Sequence, residues 1–275
     1  MMDEQLRAKA ADWNVAIEKT REIPSSLIAF GVRDGQRVVL KITKGATDEE
    51  RSGEVLTAFG TDGVVRVYQA ELGAVLLERL EPGEDLVSLV RQGDDDEATR
   101  ILADVIARLA DHKPPFGTVT VGDWARGFDR YIETGDKQIP SDLVREAHDM
   151  YQQLANSQRT TMLLHGDLQH YNVLFDTKHG WLAIDPKGVV GELEYEVGAL
   201  IRNPMELPEL FTQRATIERR LEILTRLLPL DQRRALRWCF AQAVLSVIWS
   251  VEDGYKIEHN HPVLLLADTL RSMIR

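Results

Sequence analysis

The sequence predicts an α+β protein of two lobes: a small N-terminal lobe with an antiparallel sheet and a larger, mainly helical C-terminal lobe. Two observations predict this fold class. Short runs rich in Val, Leu and Ile, punctuated by glycines, occupy residues 1–80. Helical periodicity dominates residues 81–275. We therefore expect one lobe in each range and a cleft between them, where ligands commonly bind.

The N-terminal lobe is predicted to begin with a helix over Asp3–Ile17, in which apolar residues recur every three or four positions. A second helix is predicted over Asp48–Phe59, with Thr47 as its N-cap and Glu50 three residues further on. Glycine turns delimit the strands. The predicted strands are Ser25–Val32, Arg37–Thr43, Val64–Ala70 and Ala74–Leu80.

The C-terminal lobe is predicted to be helical, with one small hairpin. The hairpin comprises two short apolar runs, Asn172–Phe175 and Trp181–Ile184, that interrupt the helical periodicity. The predicted helices are Asp95–His112, Val121–Thr134, Ser141–Asn156, Thr216–Leu228, Asp231–Val251 and Pro262–Ile274.

Composition restricts the class of partner. The 275 residues are 44% apolar, enough for a sizeable core, and the lone Cys239, in an apolar helical stretch, is expected to fill that core. A net charge of −11 argues against nucleic acid and favours a cationic small molecule, although solubility alone also explains it. The sequence has neither a signal-peptide pattern nor a long apolar run. We therefore predict a cytoplasmic monomer or homodimer without membrane contact.

One segment carries most of the chemical information. It runs from Leu164 to Asn172 and reads Leu-His-Gly-Asp-Leu-Gln-His-Tyr-Asn, and Asp185 follows the second strand of the predicted hairpin. Asp167 on a tight loop can accept a hydroxyl proton, and Asn172 can coordinate a metal ion. Because the hairpin returns Asp185 to the same place, the spacing predicts phosphoryl transfer.

These residues resemble the catalytic core of the aminoglycoside phosphotransferase family, which has a protein-kinase-like fold and carries His-Gly-Asp where protein kinases carry His-Arg-Asp. The resemblance implies that Asp167 is the catalytic base, that Asn172 and Asp185 hold Mg²⁺, and that ATP or GTP is the phosphate donor. Asp185-Pro186-Lys187-Gly188 replaces the Asp-Phe-Gly of protein kinases, a departure common in small-molecule members of the family.

The resemblance also implies a nucleotide site in the first lobe. Lys41 ends a predicted strand and would grip the phosphates, with Glu54, or alternatively Glu50, directing its side chain.

The loop that would cover the phosphates lacks the glycine pattern of protein kinases. Ser25 and Ser26 stand there instead, and they either donate hydrogen bonds to phosphate or form a plain turn. Glu78 and Leu80 fall at the junction between the lobes, where the resemblance implies backbone contacts to the adenine ring.

Several residues near the motif are candidates for contacting the acceptor. The resemblance implies that His165 supports the loop and is not the base, whereas His170 either faces substrate or is a solvated loop residue. Glu192, Glu194 and Glu196 either bind ammonium or guanidinium groups of a substrate or form a solvated helix start.

Two longer stretches, Leu77–Gly83 and Ile184–Pro204, are similar to the aminoglycoside/hydroxyurea kinase branch, which includes streptomycin 6-kinases. The implied function is transfer of a terminal phosphate to a hydroxyl of a streptomycin-type antibiotic or hydroxyurea, which inactivates it. One alternative is a metabolic kinase for an amino sugar or a choline-like alcohol. The other is a nucleotide-binding pseudokinase, which would have no chemical need for the complete set of Lys41, Asp167, Asn172 and Asp185.

Overall fold

A computed structural model describes residues 2–45 and 48–275 of the chain. Its N-terminal part is one antiparallel sheet of five strands in the order β1-β2-β3-β5-β4. The predicted N-cap, Thr47, lies outside the described residues. The elements are α1 Met2–Asp12, β1 Ala16–Glu22, β2 Ser26–Arg33, β3 Gln36–Thr43, a 3₁₀ turn Asp48–Arg51, α2 Ser52–Phe59, β4 Val67–Glu71 and β5 Ala74–Glu78.

Strand β1 is an element that the sequence did not predict. Helix α1 ends at Asp12, and Asn14 adopts a positive φ of 55° that reverses the chain, so Ile17 lies in β1 and its predicted place in the helix is wrong. Only Ile17 is even half-buried in this strand. Because β1 is an edge strand with charged residues outward, its sequence lacks the alternation that marks a strand.

The two helices of this lobe pack on different cores. Leu6 and Ala10 of α1, and Trp13 directly after it, are buried against one face of the sheet, which confirms the predicted apolar stripe up to Trp13. Val55 and Phe59 of α2 belong instead to the large core that fills the C-terminal part. Helix α2 therefore connects the sheet to the rest of the molecule, beside the functional motif.

The C-terminal part is mainly helical, as predicted. The predicted helix Val121–Thr134 divides at Ala125 into two, and the other five predicted helices are present. The helices are α3 Val87–Arg91, α4 Asp95–Leu109, α5 Val121–Trp124, α6 Arg126–Thr134, α7 Ser141–Ala155, α8 Leu193–Ile201, α9 Pro208–Phe211, α10 Arg214–Leu227, α11 Gln232–Glu252 and α12 Pro262–Ile274.

Small strands frame the motif. The predicted hairpin is confirmed as β8 (Val173–Asp176) and β9 (Gly180–Ala183), and β6 (Pro82–Asp85) pairs with β8. Strand β7 (Met162–Leu164) pairs with β10 (Val189–Gly191). The α+β fold class is thereby confirmed, whereas the boundary between residues 80 and 81 stays a prediction.

Two further features bear on the expectations from sequence. Cys239 is buried in α11, and burial raises the pKa of its thiol to about 12, which suits a core position and not a nucleophile. Across residues 2–45 and 48–275, the structure contains no helix with the length and apolar character needed to cross a membrane.

Candidate active site

The loop between β7 and the hairpin is held in a tight turn at Gly166. This glycine has a φ of +81°, and an added Cβ would lie 2.9 Å from the Trp124 ring. Only glycine meets both conditions without strain. The turn presents the side chain of the next residue, Asp167, with about a quarter of its surface exposed.

His165 supports this loop from inside, as the sequence predicted. Its Nε2 lies 2.9 Å from the carbonyl oxygen of Ile184, and its Nδ1 accepts the backbone N–H of Asp167 at 3.3 Å. Burial lowers the pKa of His165, so that the neutral imidazole donates at one nitrogen and accepts at the other. The backbone N–H groups of Lys187 and Gly188 both donate to the carbonyl of His165.

Asn172 and Asp167 lie side by side. The Nδ2 of Asn172 donates to the backbone carbonyl of Asp167 at 2.9 Å and to its Oδ2 at 3.3 Å. On the other side, Nη2 of Arg202 lies 3.3 Å from Oδ1 of Asp167. The sequence-based prediction missed Arg202, because one arginine at the end of a helix carries no local signal of its role.

Lys41 and Asp185 meet across the two parts of the molecule. Lys41 Nζ lies 2.9 Å from Asp185 Oδ1 and 2.9 Å from Glu49 Oε2, with only 4% of the lysine side chain exposed. Burial disfavours the charge on Lys41, but the two carboxylates outweigh it and raise the lysine pKa. Asp185 has a φ of 56°, a conformation unfavourable for a non-glycine residue and recurrent at functional sites.

The predicted partner of Lys41 is wrong. Glu54 instead accepts hydrogen bonds from Arg51 at 2.9 and 2.6 Å, and Glu49 takes the place expected for Glu54 or Glu50. Residues 48–51 form a 3₁₀ turn, whereas the prediction assumed that the α-helix begins at Asp48. This difference in helical phase brings Glu49 towards Lys41.

The donor atoms suit one magnesium ion. Asn172 uses its Nδ2 on Asp167 and Asp185 uses Oδ1 on Lys41, so that the amide Oδ1 and the second carboxylate oxygen remain available for a metal. Mg²⁺ prefers such oxygen ligands and leaves its other positions to water and phosphate. Among the described residues, no group of three or more His, Cys, Asp or Glu side chains is placed to hold a metal ion.

The serine pair forms the turn that was the alternative interpretation. Ile23 and Ser26 exchange backbone hydrogen bonds, and Ser26 is fully buried. A phosphate contact for Ser26 is therefore wrong, whereas one for the half-buried Ser25 stays a prediction.

The junction residues are placed as follows. The N–H of Glu78 is already bonded to the carbonyl of Arg66, and Leu80 is buried. Their contacts to an adenine ring stay a prediction.

Two residues of the acidic cluster, Glu192 and Glu196, face inward, and their predicted role in binding substrate is wrong. Glu192 is buried and accepts from Arg234 and Trp238. Glu194 accepts the N–H of Asp231 at 3.2 Å. Glu196 accepts the N–H groups of His165 at 2.7 Å and Gly166 at 3.0 Å, and burial raises its pKa to about 7. Glu196 thus anchors the backbone of the loop at Gly166, whereas a substrate contact for the half-buried Glu194 stays a prediction.

His170 also differs from both interpretations of the sequence. It is fully buried, so it neither contacts solvent nor faces a substrate. Neither ring nitrogen has a hydrogen-bond partner among the described residues, and burial lowers the pKa of the ring well below its ordinary value. A neutral histidine here is a core residue.

Comparison with known protein families agrees with the geometry of this site. Residues 12–254 match the family described as aminoglycoside/hydroxyurea antibiotic resistance kinase. The chain belongs to this family. It is therefore a kinase, a phosphotransferase with an alcohol group as acceptor, and the sequence-based prediction of the family is confirmed.

The relatives that align with this chain are named for different acceptors. The kinase is 33% identical to a streptomycin 3''-kinase from Klebsiella pneumoniae, over 81% of this chain and 84% of that enzyme. It is 31% identical to a hydroxyurea phosphotransferase from Kitasatospora aureofaciens, over 80% of this chain but only 64% of that enzyme. Identity of this size does not distinguish between the two acceptors.

Among solved structures, a choline kinase from Streptococcus pneumoniae superposes with a TM-score of 0.68, covering 98% of this chain and 99% of that one. The sequences are 16% identical. At that level the likeness shows the shared fold alone.

Proposed function

We propose that the kinase transfers the terminal phosphate of ATP or GTP to a hydroxyl of a streptomycin-type aminoglycoside or of hydroxyurea, and so inactivates the antibiotic. The observation that carries the proposal is the proximity of two contacting pairs, Lys41 with Asp185 and Asn172 with Asp167, in a member of this family. The N–H of Ile184, next to Asp185, donates to the carbonyl of Asn172 and so links the two pairs. We also propose that it acts in the cytoplasm as a monomer or homodimer.

In the proposed mechanism the chain's own residues orient two reactants. Lys41 holds the phosphates of the nucleotide, and Asp167 holds the acceptor hydroxyl by a hydrogen bond and takes its proton as the new bond forms. The acceptor oxygen bonds to the terminal phosphorus while the bond from that phosphorus to the bridging oxygen of the nucleoside diphosphate breaks. Mg²⁺, held by Asn172 and Asp185, would neutralise charge on the phosphates.

Electrostatics favours the cationic acceptor. The chain carries a net charge of −11, which attracts cations from a distance. Streptomycin bears guanidinium groups, whereas hydroxyurea is neutral, so the streptomycin type is the first candidate. Because Glu192 and Glu196 are occupied by protein donors, the residues that bind the cation must be others.

A choline-like or amino-sugar acceptor is the second candidate, supported by the fold shared with choline kinase. Fold does not determine the acceptor. The two candidates make opposite predictions in a single competition assay, since a metabolic kinase would turn over the small alcohol and leave the antibiotic unchanged.

The deciding experiment measures nucleoside diphosphate release with ATP or GTP, magnesium and a panel of acceptors. The panel contains streptomycin, other aminoglycosides, hydroxyurea, choline and amino sugars. Asp167→Asn is the matched control, because it keeps the size of the side chain and removes its basicity. We expect release that depends on streptomycin or hydroxyurea and falls at least a hundredfold in the control. Release that depends only on choline or an amino sugar would contradict the proposal.

A further inference from the structure

We propose that Arg202 is a positioning residue for Asp167. We further propose that a buried ion pair between Asp95 and Arg220 holds the backbone on both sides of Arg202 in place. The inference rests on the proposed role of Asp167 as proton acceptor, because a positioning residue would keep this carboxylate oriented towards the acceptor hydroxyl.

Arg202 holds one oxygen of the Asp167 carboxylate while Asn172 holds the other. Nη2 of Arg202 lies 3.3 Å from Oδ1, and Nδ2 of Asn172 lies 3.3 Å from Oδ2. Each carboxylate oxygen has two lone-pair positions, so that both bonds leave room for an acceptor hydroxyl. The side chain of Arg202 is only 13% exposed, which limits its alternative conformations.

The guanidinium group of Arg202 has a second contact, on α11. Nη1 of Arg202 lies 3.4 Å from Oε1 of Gln242, and the amide of Gln242 donates to the backbone carbonyl of Tyr195 in α8. Gly198 allows this packing, because a Cβ there would lie 2.3 Å from the Gln242 amide oxygen. The Arg202 side chain is therefore held between Asp167 and Gln242.

The backbone on both sides of Arg202 is tied to Arg220. Nη1 of this fully buried arginine donates to the carbonyls of Leu200 at 3.2 Å and Asn203 at 2.7 Å. Its remaining nitrogens bond to Asp95 of α4 at 3.1 and 2.5 Å. A buried charge is costly unless it is paired and hydrogen-bonded. Here the charge of Arg220 is paired with Asp95, and each guanidinium nitrogen donates at least one hydrogen bond.

The arrangement gives a continuous support from the helical core to the reacting carboxylate. It runs from Asp95 through Arg220 to the end of α8, then through Arg202 to Asp167. A proton acceptor must stay within hydrogen-bond reach of the hydroxyl, and a misplacement of about 1 Å can cost a hundredfold in rate. Only arginine offers the planar fork that reaches Asp167 and Gln242 together.

The test compares Arg202→Met and Arg202→Lys in wild-type and Asp167→Asn backgrounds. In the wild-type background we expect kcat to fall at least tenfold for Met and less for Lys, which keeps the charge but not the fork. The KM values for nucleotide and acceptor should stay within twofold. If Arg202 acts through Asp167, its replacement by Met should change the residual rate of Asp167→Asn less than twofold. A full loss in that background would show direct contact with the transferred phosphate and overturn the proposal.

The support behind Arg202 is tested by Arg220→Lys, for which we expect a several-fold fall in kcat at unchanged KM. Arg226→Lys, on the same helix but with 73% of its side chain exposed and paired with Glu222, is the matched control and should be neutral. If Arg220→Lys does not fold, the Arg202 variants still decide the main claim.

Failure of the proposed function gives a different result from failure of this inference. A wild-type protein that turns over no acceptor contradicts the function alone. Thermal unfolding of the wild type, Arg202→Met, Asp167→Asn and the double variant then tests the inference. Non-additive Tm shifts of Arg202→Met and Asp167→Asn would support the contact. Additive shifts, or an active wild type matched by Arg202→Met, would overturn the inference.

Discussion

Two sites in this kinase contain carboxylates that accept hydrogen bonds, but the sites differ in their exposure and in the groups that the carboxylates bind. Around Lys41, Glu49 and Asp185 keep 22% and 26% of their side chains exposed and connect the sheet to the helical part. Beneath the loop of Asp167, Glu196 is 4% exposed and accepts backbone N–H groups within the helical part alone. The exposed site can exchange its contacts with a ligand, whereas the buried one fixes the backbone.

The buried site should have the larger effect on stability. Glu196→Ala would leave the N–H groups of His165 and Gly166 without an acceptor, at about 1–3 kcal/mol each. We expect the free energy of unfolding, measured with urea, to fall by about 2–5 kcal/mol.

Glu194→Ala, on the same helix, is the matched control for this variant. Glu194 is half-buried and accepts a hydrogen bond from the N–H of Asp231 at 3.2 Å, so the loss should stay below about 1 kcal/mol. Equal losses in the two variants would show that Glu196 is not a special anchor.

The pH dependence of stability should reveal the same carboxyl group. Burial raises the pKa of Glu196 from its ordinary value of 4.5 to about 7 in the folded protein. The folded state therefore binds this proton more tightly than the unfolded state does. The resulting contribution to the free energy of unfolding is complete below pH 4.5 and is lost as pH rises through about 7. The contribution is about 3 kcal/mol at most.

Urea unfolding from pH 4.5 to 8 tests this expectation. Glu196→Gln cannot titrate, so the difference in unfolding free energy between wild type and variant should change across that range. A difference independent of pH would mean that Glu196 keeps an ordinary pKa.

The exposed site should affect nucleotide binding more than folding. Glu49→Gln removes one of the two charges that hold Lys41, and a hydrogen bond to a charged group contributes about 1.5–3 kcal/mol. We expect the KM for ATP to rise about tenfold, with a small change in Tm. An unchanged KM with a lower Tm would place Glu49 among the structural residues.

The sequence predicted the chemistry of the site better than the supporting contacts. The spacing of Asp167, Asn172 and Asp185 predicted that these residues lie near one another, because a tight loop and a hairpin have nearly fixed geometry. The amide of Asn172 contacts Asp167, and the N–H of Ile184, next to Asp185, donates to the carbonyl of Asn172. Charged edge strand β1 has no apolar pattern to detect, and the ion pair of Arg202 joins residues 35 positions apart.

The acidic segment contained a signal that could have corrected the prediction. Helix α8 is apolar on nearly all sides, with Leu193, Val197 and Leu200 among its buried residues. A helix of this kind lies in the core, so a glutamate in it needs a partner inside the protein. The prediction considered only charge and proximity to the motif.

Among these variants, Glu54→Gln is expected to have the smallest effect on the KM for ATP. Glu54 is half-exposed and paired with Arg51 three residues away, and such surface pairs contribute little. The KM for ATP should change less than twofold. A tenfold rise equal to that of Glu49→Gln would mean that α2 turns when nucleotide binds and exchanges Glu49 for Glu54 at Lys41. Because the two glutamates differ in helical phase, comparing these variants tells whether the site is already in its binding geometry.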